Sequence, residues 1–575
     1  MSVAQREGPV VAVVSDETEP KRVADVIVDT LRDLGIDTFY GICGGAIAPV
    51  YDALIDAPDL HVIHTRHETG ALFMAAGHAL ASRSMACVLM TSGPGITNAI
   101  TGLASAKADG IPVIAIGGEV PKTNFGRGAL QEGSRHGLDT IAMVRSVTKY
   151  SAEIVNPRSA ANVVRRAVAT ARSGRQGPVF LSLPLDVANE RVVPTQMSSN
   201  VSTGFAMDDD LIDVVAQHLQ AARRGLIVVG SGARHPMACT QVRILAETLQ
   251  MPVVTTPKAK GLFPERSPLA LGVVGYGEHS SAHDYVEAGP DVILAIGCGF
   301  GETATNNWRT PLLATDVFIQ IDIDSSQIGK NYQVDLGIVG PAQAVLPHIL
   351  ARVRARPPAT DLTGIRYAAY TPAVGRGPLH PAQVVELLQV TFPSDTVYTC
   401  DIGEHLLHTL HHLKVDHSDG FIAHLGLGSM GSGIGSAIGV KYARPDRTVV
   451  SICGDYGFQM FGNELATCVE NRIGVVFAIL NDARPRMVEN GLTNIFGRSL
   501  VGGGPPIDFA ALAQAVGARG VCLRTAEDFA RLGSDVARSD VPTVLDIRTD
   551  PTASFANNPR FKTISHFGGK GEGPE

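Results

Sequence analysis

The sequence predicts an α/β protein made of three doubly wound parallel-sheet domains, on three observations. Its 575 residues are 45% hydrophobic and 18% charged, an ordinary globular balance at a length that suits about three domains. Short, nearly continuous β-branched runs alternate with Ala-rich helical stretches, as strands buried on both faces of a parallel sheet do. Two stretches rich in Pro, Ser, Thr and Gly break that rhythm, "RVVPTQMSSNVSTGF" (191–205) and "RARPPATDLTGIRYAAYTPAVGRGPLHP" (354–381). They read as linkers and divide the chain into blocks over 20–190, 206–353 and 379–550.

Taken in order, the first block offers "HVIHT", "ACVLMTS", "IPVIAIGG" and "PVFLSLP" as strands. The second offers "GLIVVGSG", "MPVVTT", "DVILAIGC" and "VFIQIDID", and the third "TVVSICGD", "GVVFAILND" and "PTVLDIRTD". Each is a short run built on two or more of Val, Ile, Leu, Met or Phe, too short for a helix of ordinary length. The segment over 551–575 has no periodicity and is rich in Gly and polar residues. It is expected to be a disordered end or a flap that orders over a site.

Several function classes drop out. A net charge of -8 without a Lys/Arg cluster argues against a nucleic-acid surface. The eight cysteines lie far apart, with no C-x-x-C pair, and read as reduced core residues of a cytoplasmic protein. The N-terminus lacks the basic start and apolar segment of a signal peptide, and no run approaches the length of a membrane span.

The chemistry-bearing stretch is "GDYGFQMFGNELATCVENRIGVVFAILND", 454–482. Asp455 follows the strand "TVVSIC", at the C-terminal end where α/β sheets place ligands. A helix over "GNELATCVEN" and a strand over 475–480 then deliver Asn481 and Asp482. This is one βαβ unit, so two neighbouring parallel strands bring Asp455 and Asp482 side by side. Either acid alone reads more simply as a helix cap or a turn residue. Two carboxylates forced together favour a cation between them, and hard oxygen ligands beside a phosphate suit Mg²⁺.

That arrangement resembles the cofactor motif of thiamine diphosphate (ThDP) enzymes, with Tyr456 where a small residue is usual and Asp482 where a second Asn is usual. The resemblance implies Mg²⁺ held by Asp455, Asp482 and the backbone carbonyl of Arg484. It also implies a distant glutamate that hydrogen-bonds the pyrimidine ring and drives proton removal from the thiazolium. Glu68 in "HVIHTRHETGALFMAAGHALA" fits that role, although alone it reads as a first-turn acid.

The resemblance extends over nearly the whole chain and points to acetolactate (acetohydroxyacid) synthase-like proteins. "FYGICGGAIAPVYDAL", "TSGPGITNAITGLASAKADGIPVIAIGGEVP", "ALQEG", "IQIDIDSSQIGKN", "DIGEHLLHT" and "HLGLGSMGSGIGSAIGVKYARPDR" are similar to successive segments of that branch. The blocks then become pyrimidine-binding, middle Rossmann-like and diphosphate-binding domains. Met430 is implied as the wedge that bends the cofactor, and the Gly428 carbonyl as acceptor for its amino group. Gly403, Glu404, His405, Tyr456 and Gly457 are implied at the diphosphate, with Gly44 and Asn98 completing the cofactor set. Histidines 405, 408, 411, 412 and 417 lie together in sequence, and most read as solvated or structural. Gln131 and Glu489 are the candidates for catalytic contact with substrate, beside Glu68.

Two departures shape the expectation. In the middle block the branch's Arg-bearing "ARFDDR" stretch is here "GCGFGET", so FAD is expected less than a purely structural domain. After the metal pair the synthases carry "GMV-x-Q-W-Q", whereas this chain reads "RPRMVENGLTN". The acceptor-selecting Trp is absent, and the acceptor is expected to be other than a plain second 2-oxo acid. The implied function is a ThDP-dependent carboligase or lyase with a 2-oxo acid donor, acting as a homodimer or homotetramer on a small 2-oxo acid, aldehyde or acyl-CoA. A 2-hydroxyacyl-CoA or acyloin-type lyase is the alternative, and a non-catalytic regulatory homologue is the alternative of another class. Retention of Glu68, Asp455 and Met430 argues against the last.

Overall fold

The computed structural model describes residues 19–194, 207–309, 312, 315–358, 362, 364–375 and 377–555. Three six-stranded sheets organise them. The first holds Thr38–Gly41, His61–His64, Cys87–Met90, Ile114–Glu119, Tyr150–Glu153 and Val179–Pro184. Counted along the chain, their spatial order is 2-1-3-4-6-5. The third holds Val397–Cys400, Phe421–Ala423, Val449–Gly454, Val476–Asn481, Arg519–Leu523 and Thr543–Arg548, in the same 2-1-3-4-6-5 order. The middle sheet holds Gly225–Val229, Val253–Thr255, Ala270–Val273, Val292–Ile296, Val317–Asp322 and Leu336–Val339, ordered 3-2-1-4-5-6. Every pairing within the three sheets is parallel. A two-residue antiparallel pair, Lys21–Arg22 with Arg191–Val192, ties the two ends of the first unit together.

All eleven apolar runs read from the sequence are strands. The strand expected over 475–480 is Val476–Asn481, so Asn481 ends it instead of following it. Its side chain turns away from the ligand edge, donating to Asp546 Oδ1 (2.8 Å) and to the Ile507 carbonyl (2.9 Å). Helices cover both faces, and central residues such as Val88, Ile116, Phe180, Ile452 and Phe477 are fully buried. Truncating one such aromatic to Ala would cost about 3–5 kcal/mol.

The first and third units share one apolar cluster, which includes Leu72, Met74, Ile434 and Ile438. Helix Glu68–Ser82 crosses helix Ser432–Ala443 there. Glycines let the two backbones meet: a Cβ on Gly435 would lie 2.6 Å from Phe73 Cβ, and one on Gly439 would strike the Met74 carbonyl. This contact fixes how the two ligand-facing sheet edges sit within one chain.

Candidate functional site

In a 2-1-3-4-6-5 sheet the first and third strands are neighbours whose following segments leave on opposite faces, which opens a crevice at their C-terminal ends. In the third domain that crevice lies between Val397–Cys400 and Val449–Gly454. Asp455 begins helix Asp455–Phe461 and is 5% exposed. The Tyr456 N–H donates to its Oδ1 (2.8 Å). Burial, and next the charge of Asp482, push the Asp455 carboxyl up to about 7. Strand pairing explains the proximity: Gly454 stands opposite Leu480, so each chain delivers its acid one or two residues past the same register point.

Asp482 is held by its own loop. Ala483 lies at φ +57°, a left-handed conformation that a non-glycine residue adopts under constraint. It turns the Arg484 N–H back onto Asp482 Oδ1 (3.2 Å), while Arg486 Nε donates to Oδ2 (3.1 Å). Burial raises the Asp482 carboxyl and Arg486 opposes that rise. The Arg484 carbonyl accepts from the Arg486 N–H (2.9 Å) and keeps a second lone pair. Arg484 Nη1 reaches Glu489 Oε1 (2.5 Å), and Arg486 Nη1 lies 3.6 Å from Glu489 Oε2. Asp482, Glu489 and two arginines therefore form one charge cluster along helix Arg486–Phe496.

The other third-domain candidates surround this pair. Gly403 precedes helix Glu404–His412. His405 is buried, and burial pulls its imidazole down to about 4, so it is neutral at ordinary pH. Its Nε2 donates to the Asp401 carbonyl (3.0 Å), which leaves Nδ1 as an acceptor. Glu404 turns away from Gly403: its Oε1 accepts from the Phe555 N–H (2.9 Å), and burial raises its carboxyl. Gly457 packs against Asp401, and its absent side chain is what admits that carboxylate. Gly428 takes φ +72° with open space beside it, and Met430 is half-buried next to it. Of the neighbouring histidines, 408, 411 and 412 are buried against one another and against Phe555 instead of being solvated.

Asp401 is a residue the sequence reading missed. It is fully buried and accepts from the N–H groups of Gly431 (2.9 Å) and Gly433 (3.2 Å), which pins the start of helix Ser432–Ala443 beside Met430. Burial pushes its carboxyl up to about 6. An acid directly after a strand, in "TCDIG", was the available signal.

The first-domain edge is simpler. Glu68 opens helix Glu68–Ser82 behind the N-cap His67, whose Nδ1 accepts from the Thr69 N–H (3.1 Å). Glu68 is 6% exposed and its Oε2 accepts from Asn98 Nδ2 (3.0 Å). The Thr69 hydroxyl donates to the Asn98 carbonyl, so helix Pro94–Asp109 is clipped to the Glu68 helix at two points. Gly44 follows the first strand, and a Cβ there would lie 2.6 Å from the Thr91 side chain. Gln131 is exposed, left-handed at φ +62°, with Oε1 3.5 Å from Ser92 Oγ. Among the described residues, no hydrogen bond or ion pair joins Glu68, Asn98 or Gln131 to the Asp455–Asp482 cluster of the same chain.

The donor set fits the expected ion and cofactor. Two buried carboxylates at adjacent strand ends, both raised by burial, suit a hard divalent ion whose remaining positions would go to a carbonyl, water and phosphate. Among the described residues no cluster of three or more His, Cys, Asp or Glu competes as a metal site.

Family comparison agrees with this geometry. The family model described as "Thiamine pyrophosphate enzyme, N-terminal TPP binding domain" matches residues 21–143, the central domain matches 212–349 and the C-terminal TPP binding domain matches 401–547. A probable acetolactate synthase large subunit of Methanocaldococcus jannaschii is 34% identical over 92% of this chain and 92% of its own. The acetolactate synthase large subunit of Parasynechococcus marenigrum is 32% identical over 92% of this chain and 88% of its own. Among solved structures, the thiamine diphosphate-dependent 4-hydroxybenzoylformate decarboxylase of Rhodococcus jostii RHA1 superposes with a TM-score of 0.82. It covers 92% of this chain and 100% of its own at 23% identity, a likeness of fold.

Proposed function

Because the chain belongs to the thiamine pyrophosphate enzyme family, we propose that it is an acetolactate synthase-like carboligase with a 2-oxo acid donor. The observation that carries this reading is the Asp455–Asp482 pair at the crevice of the third sheet, with Asp455 raised to about 7. When bound, thiamine diphosphate supplies an electron sink for the carbon next to a carbonyl.

This chain's residues do the rest. Asp455, Asp482 and the Arg484 carbonyl hold Mg²⁺ against the diphosphate. Gly403, Glu404, His405, Tyr456 and Gly457 form the surrounding wall, and Gly428 and Met430 set the aminopyrimidine. Glu68 moves a proton at the pyrimidine ring nitrogen, and Asn98 orients its carboxylate. Gly44 lies at the cofactor, and Gln131 and Glu489 face the substrate. A cofactor gripped at two ends by clusters that do not meet within one chain needs a second chain. The active form is therefore a homodimer or a dimer of dimers.

With Met487-Val488 set against the motif's Met-Val, Gly491 falls where the acceptor-selecting Trp stands, next to the polar Glu489 and Asn490. That change favours a larger, polar acceptor, and it keeps a 2-hydroxyacyl-CoA or acyloin-type lyase as the second reading. A structural role for the middle domain is supported by the loops after its first and fourth strands, where the Gly232 N–H donates to the Gly297 carbonyl (3.0 Å). All eight cysteines are free, and no helix among the described residues is long and apolar enough to cross a membrane. Both facts support a cytoplasmic location. The C-terminal residues proposed as a flap lie outside the described residues beyond Phe555.

The test is product analysis of the purified protein with Mg²⁺, ThDP and pyruvate against aldehydes, 2-oxo acids and hydroxyacyl-CoAs. A new acyloin or 2-hydroxy-2-acyl acid is expected. Cleavage of a hydroxyacyl-CoA without ligation would establish the second reading, and no C–C bond made or broken would end both.

A further inference from the structure

Two buried carboxylates cross between the first and third domains in opposite directions. From the third domain, Glu464 is 1% exposed. Its Oε1 accepts from the backbone N–H of Arg66 (3.0 Å) and of His67 (2.9 Å), and its Oε2 takes the Thr467 hydroxyl (2.7 Å). Arg66 and His67 are the two residues before Glu68. From the first domain, Asp109 ends helix Pro94–Asp109 with its side chain 5% exposed. Its Oδ1 accepts from the backbone N–H of Gly426 (2.9 Å), on the segment that leads into Gly428 and Met430. Lys258 Nζ of the middle domain reaches the same oxygen (3.1 Å), and His424 Nδ1 lies 3.4 Å from Oδ2.

A buried carboxylate is tolerated only where donors surround it. Here the donors that cross between the first and third domains are main-chain N–H groups, supplemented by the Thr467 hydroxyl and by Lys258 Nζ. We propose that Glu464 and Asp109 form a reciprocal clasp: each domain's carboxylate sets the backbone from which the other presents its cofactor-facing residues. Both are positioning residues, and the role rests on the ThDP reading above.

Helix Pro94–Asp109 makes the two contacts mechanically continuous. Its first turns carry Asn98, bonded to Glu68, and its last residue holds the Gly428–Met430 segment. A helix of 16 residues is a rod about 24 Å long. If each cofactor is shared between two chains, this rod joins the first-domain half of one site to the third-domain half of the other.

The test uses three variants of the full chain: Glu464→Gln, Asp109→Asn and Gly70→Ala. A Cβ on Gly70 would lie 2.5 Å from Glu464 Oε1, so Gly70→Ala displaces the carboxylate without changing a charge, while favouring the helix itself. In the cofactor-free protein, amide hydrogen exchange should rise about tenfold at 64–72 in Glu464→Gln and Gly70→Ala, and at 424–431 in Asp109→Asn. With Mg²⁺ present, ThDP affinity should fall about tenfold in each, and at saturating ThDP kcat should fall while the substrate KM holds. The double variant Asp109→Asn/Glu464→Gln should lose little more than the worse single one, because both act on one relative setting. Faster exchange with ThDP affinity and kcat within twofold of the parent would reduce both residues to structural contacts and overturn the proposal. So would unchanged exchange. A parent protein that binds no ThDP would instead overturn the functional reading, which separates the two failures.

Discussion

Where the second strand of the first domain leads to Glu68, the second strand of the third leads to Gly428 and Met430. Where the third strand of the first domain leads to Asn98, the third strand of the third leads to Asp455. The fourth leads to Gln131 in one and to Asp482 and Glu489 in the other. The two sheets have one topology, so the same strand ends converge in both. The chemistry at those ends has diverged. At the first edge Glu68 is partnered by a neutral amide, and Glu119, which ends the fourth strand, accepts from the N–H groups of Val120 (2.8 Å) and Gly133 (3.0 Å). The third carries two buried acids, both raised by burial and Asp455 further by the charge of Asp482, with Arg486 bonded to Asp482. Topology sets where ligand groups meet, and charge decides what each edge can do: a lone acid can exchange a proton, whereas a paired acid holds a cation.

Breaking the pair should have the largest effect. Asp455→Ala removes one of the two carboxylate ligands and should abolish Mg²⁺-dependent ThDP binding, read by calorimetric titration. Glu68→Gln should leave that binding within a few-fold and lower turnover by roughly 10²–10⁴-fold, the range of general acid–base catalysis. If hydrogen–deuterium exchange at C2 of bound ThDP stays at the parent rate in Glu68→Gln, the proton role assigned to the first edge is wrong. If the two variants swap phenotypes, so are both assignments.

The buried acids of the third edge also predict a pH signature. Asp401 is fully buried with its carboxyl pushed up from the ordinary 3.8 to about 6. A carboxyl raised in the folded state contributes stability while it is protonated. That contribution is present below about pH 4 and is lost as pH rises through about 6, and the shift corresponds to at most ~3 kcal/mol. Asp401→Asn removes the titration. The difference in urea midpoint between parent and variant should therefore move against the parent between pH 4 and 7. A flat difference would mean that Asp401 keeps its charge through its two glycine N–H donors.

Next in size is the pairing of Asp482 with Arg486. The family's usual Asn at this position suggests that Asp482→Asn is harmless. The structure points to the opposite sign, because the change removes the carboxylate bonded to a guanidinium 14% exposed beside an expected dication and leaves Glu489, 3.6 Å away, to balance it. Asp482→Asn should weaken ThDP–Mg²⁺ binding about tenfold, as loss of a charge-assisted hydrogen bond does. Asp482→Asn/Arg486→Gly should restore most of it. Equal affinity in the parent and the single variant would show that Arg486 swings away freely.

Much of this was legible in sequence, and part of what was missed has a physical cause. Central strands such as "VFLSLP" and "VVSIC" are buried on both faces and read as unbroken apolar runs. Edge strands Tyr150–Glu153, Leu336–Val339 and Arg519–Leu523 are only partly buried, so their side chains carry no such signal. Glu68, Asp455 and Asp482 stood out through local patterns. Asp401, Glu464 and Asp109 did not, since their partners, such as Gly431, Arg66 and Gly426, lie tens to hundreds of residues away. The histidines on helix Glu404–His412 read as solvated or structural, and the structure decides for the second. Stacking against one another and Phe555 lets most of them be buried neutral.

The smallest expected effect tests the amide that distinguishes the first edge. Asn98 Nδ2 is the hydrogen-bond donor to Glu68 Oε2 (3.0 Å), and the backbone carbonyl of Asn98 is separately held by Thr69. Asn98→Ala therefore removes the side-chain bond while the helix stays clipped in place. A neutral amide donating to a carboxylate favours the charged form without competing for the proton as a second acid would. Its loss should cost about 1 kcal/mol of orientation, roughly fivefold in kcat, with ThDP affinity and the substrate KM little changed. A fall in ThDP affinity as large as that of Asp482→Asn would mean that Asn98 grips the cofactor directly, and the division of labour between the two edges would have to be redrawn.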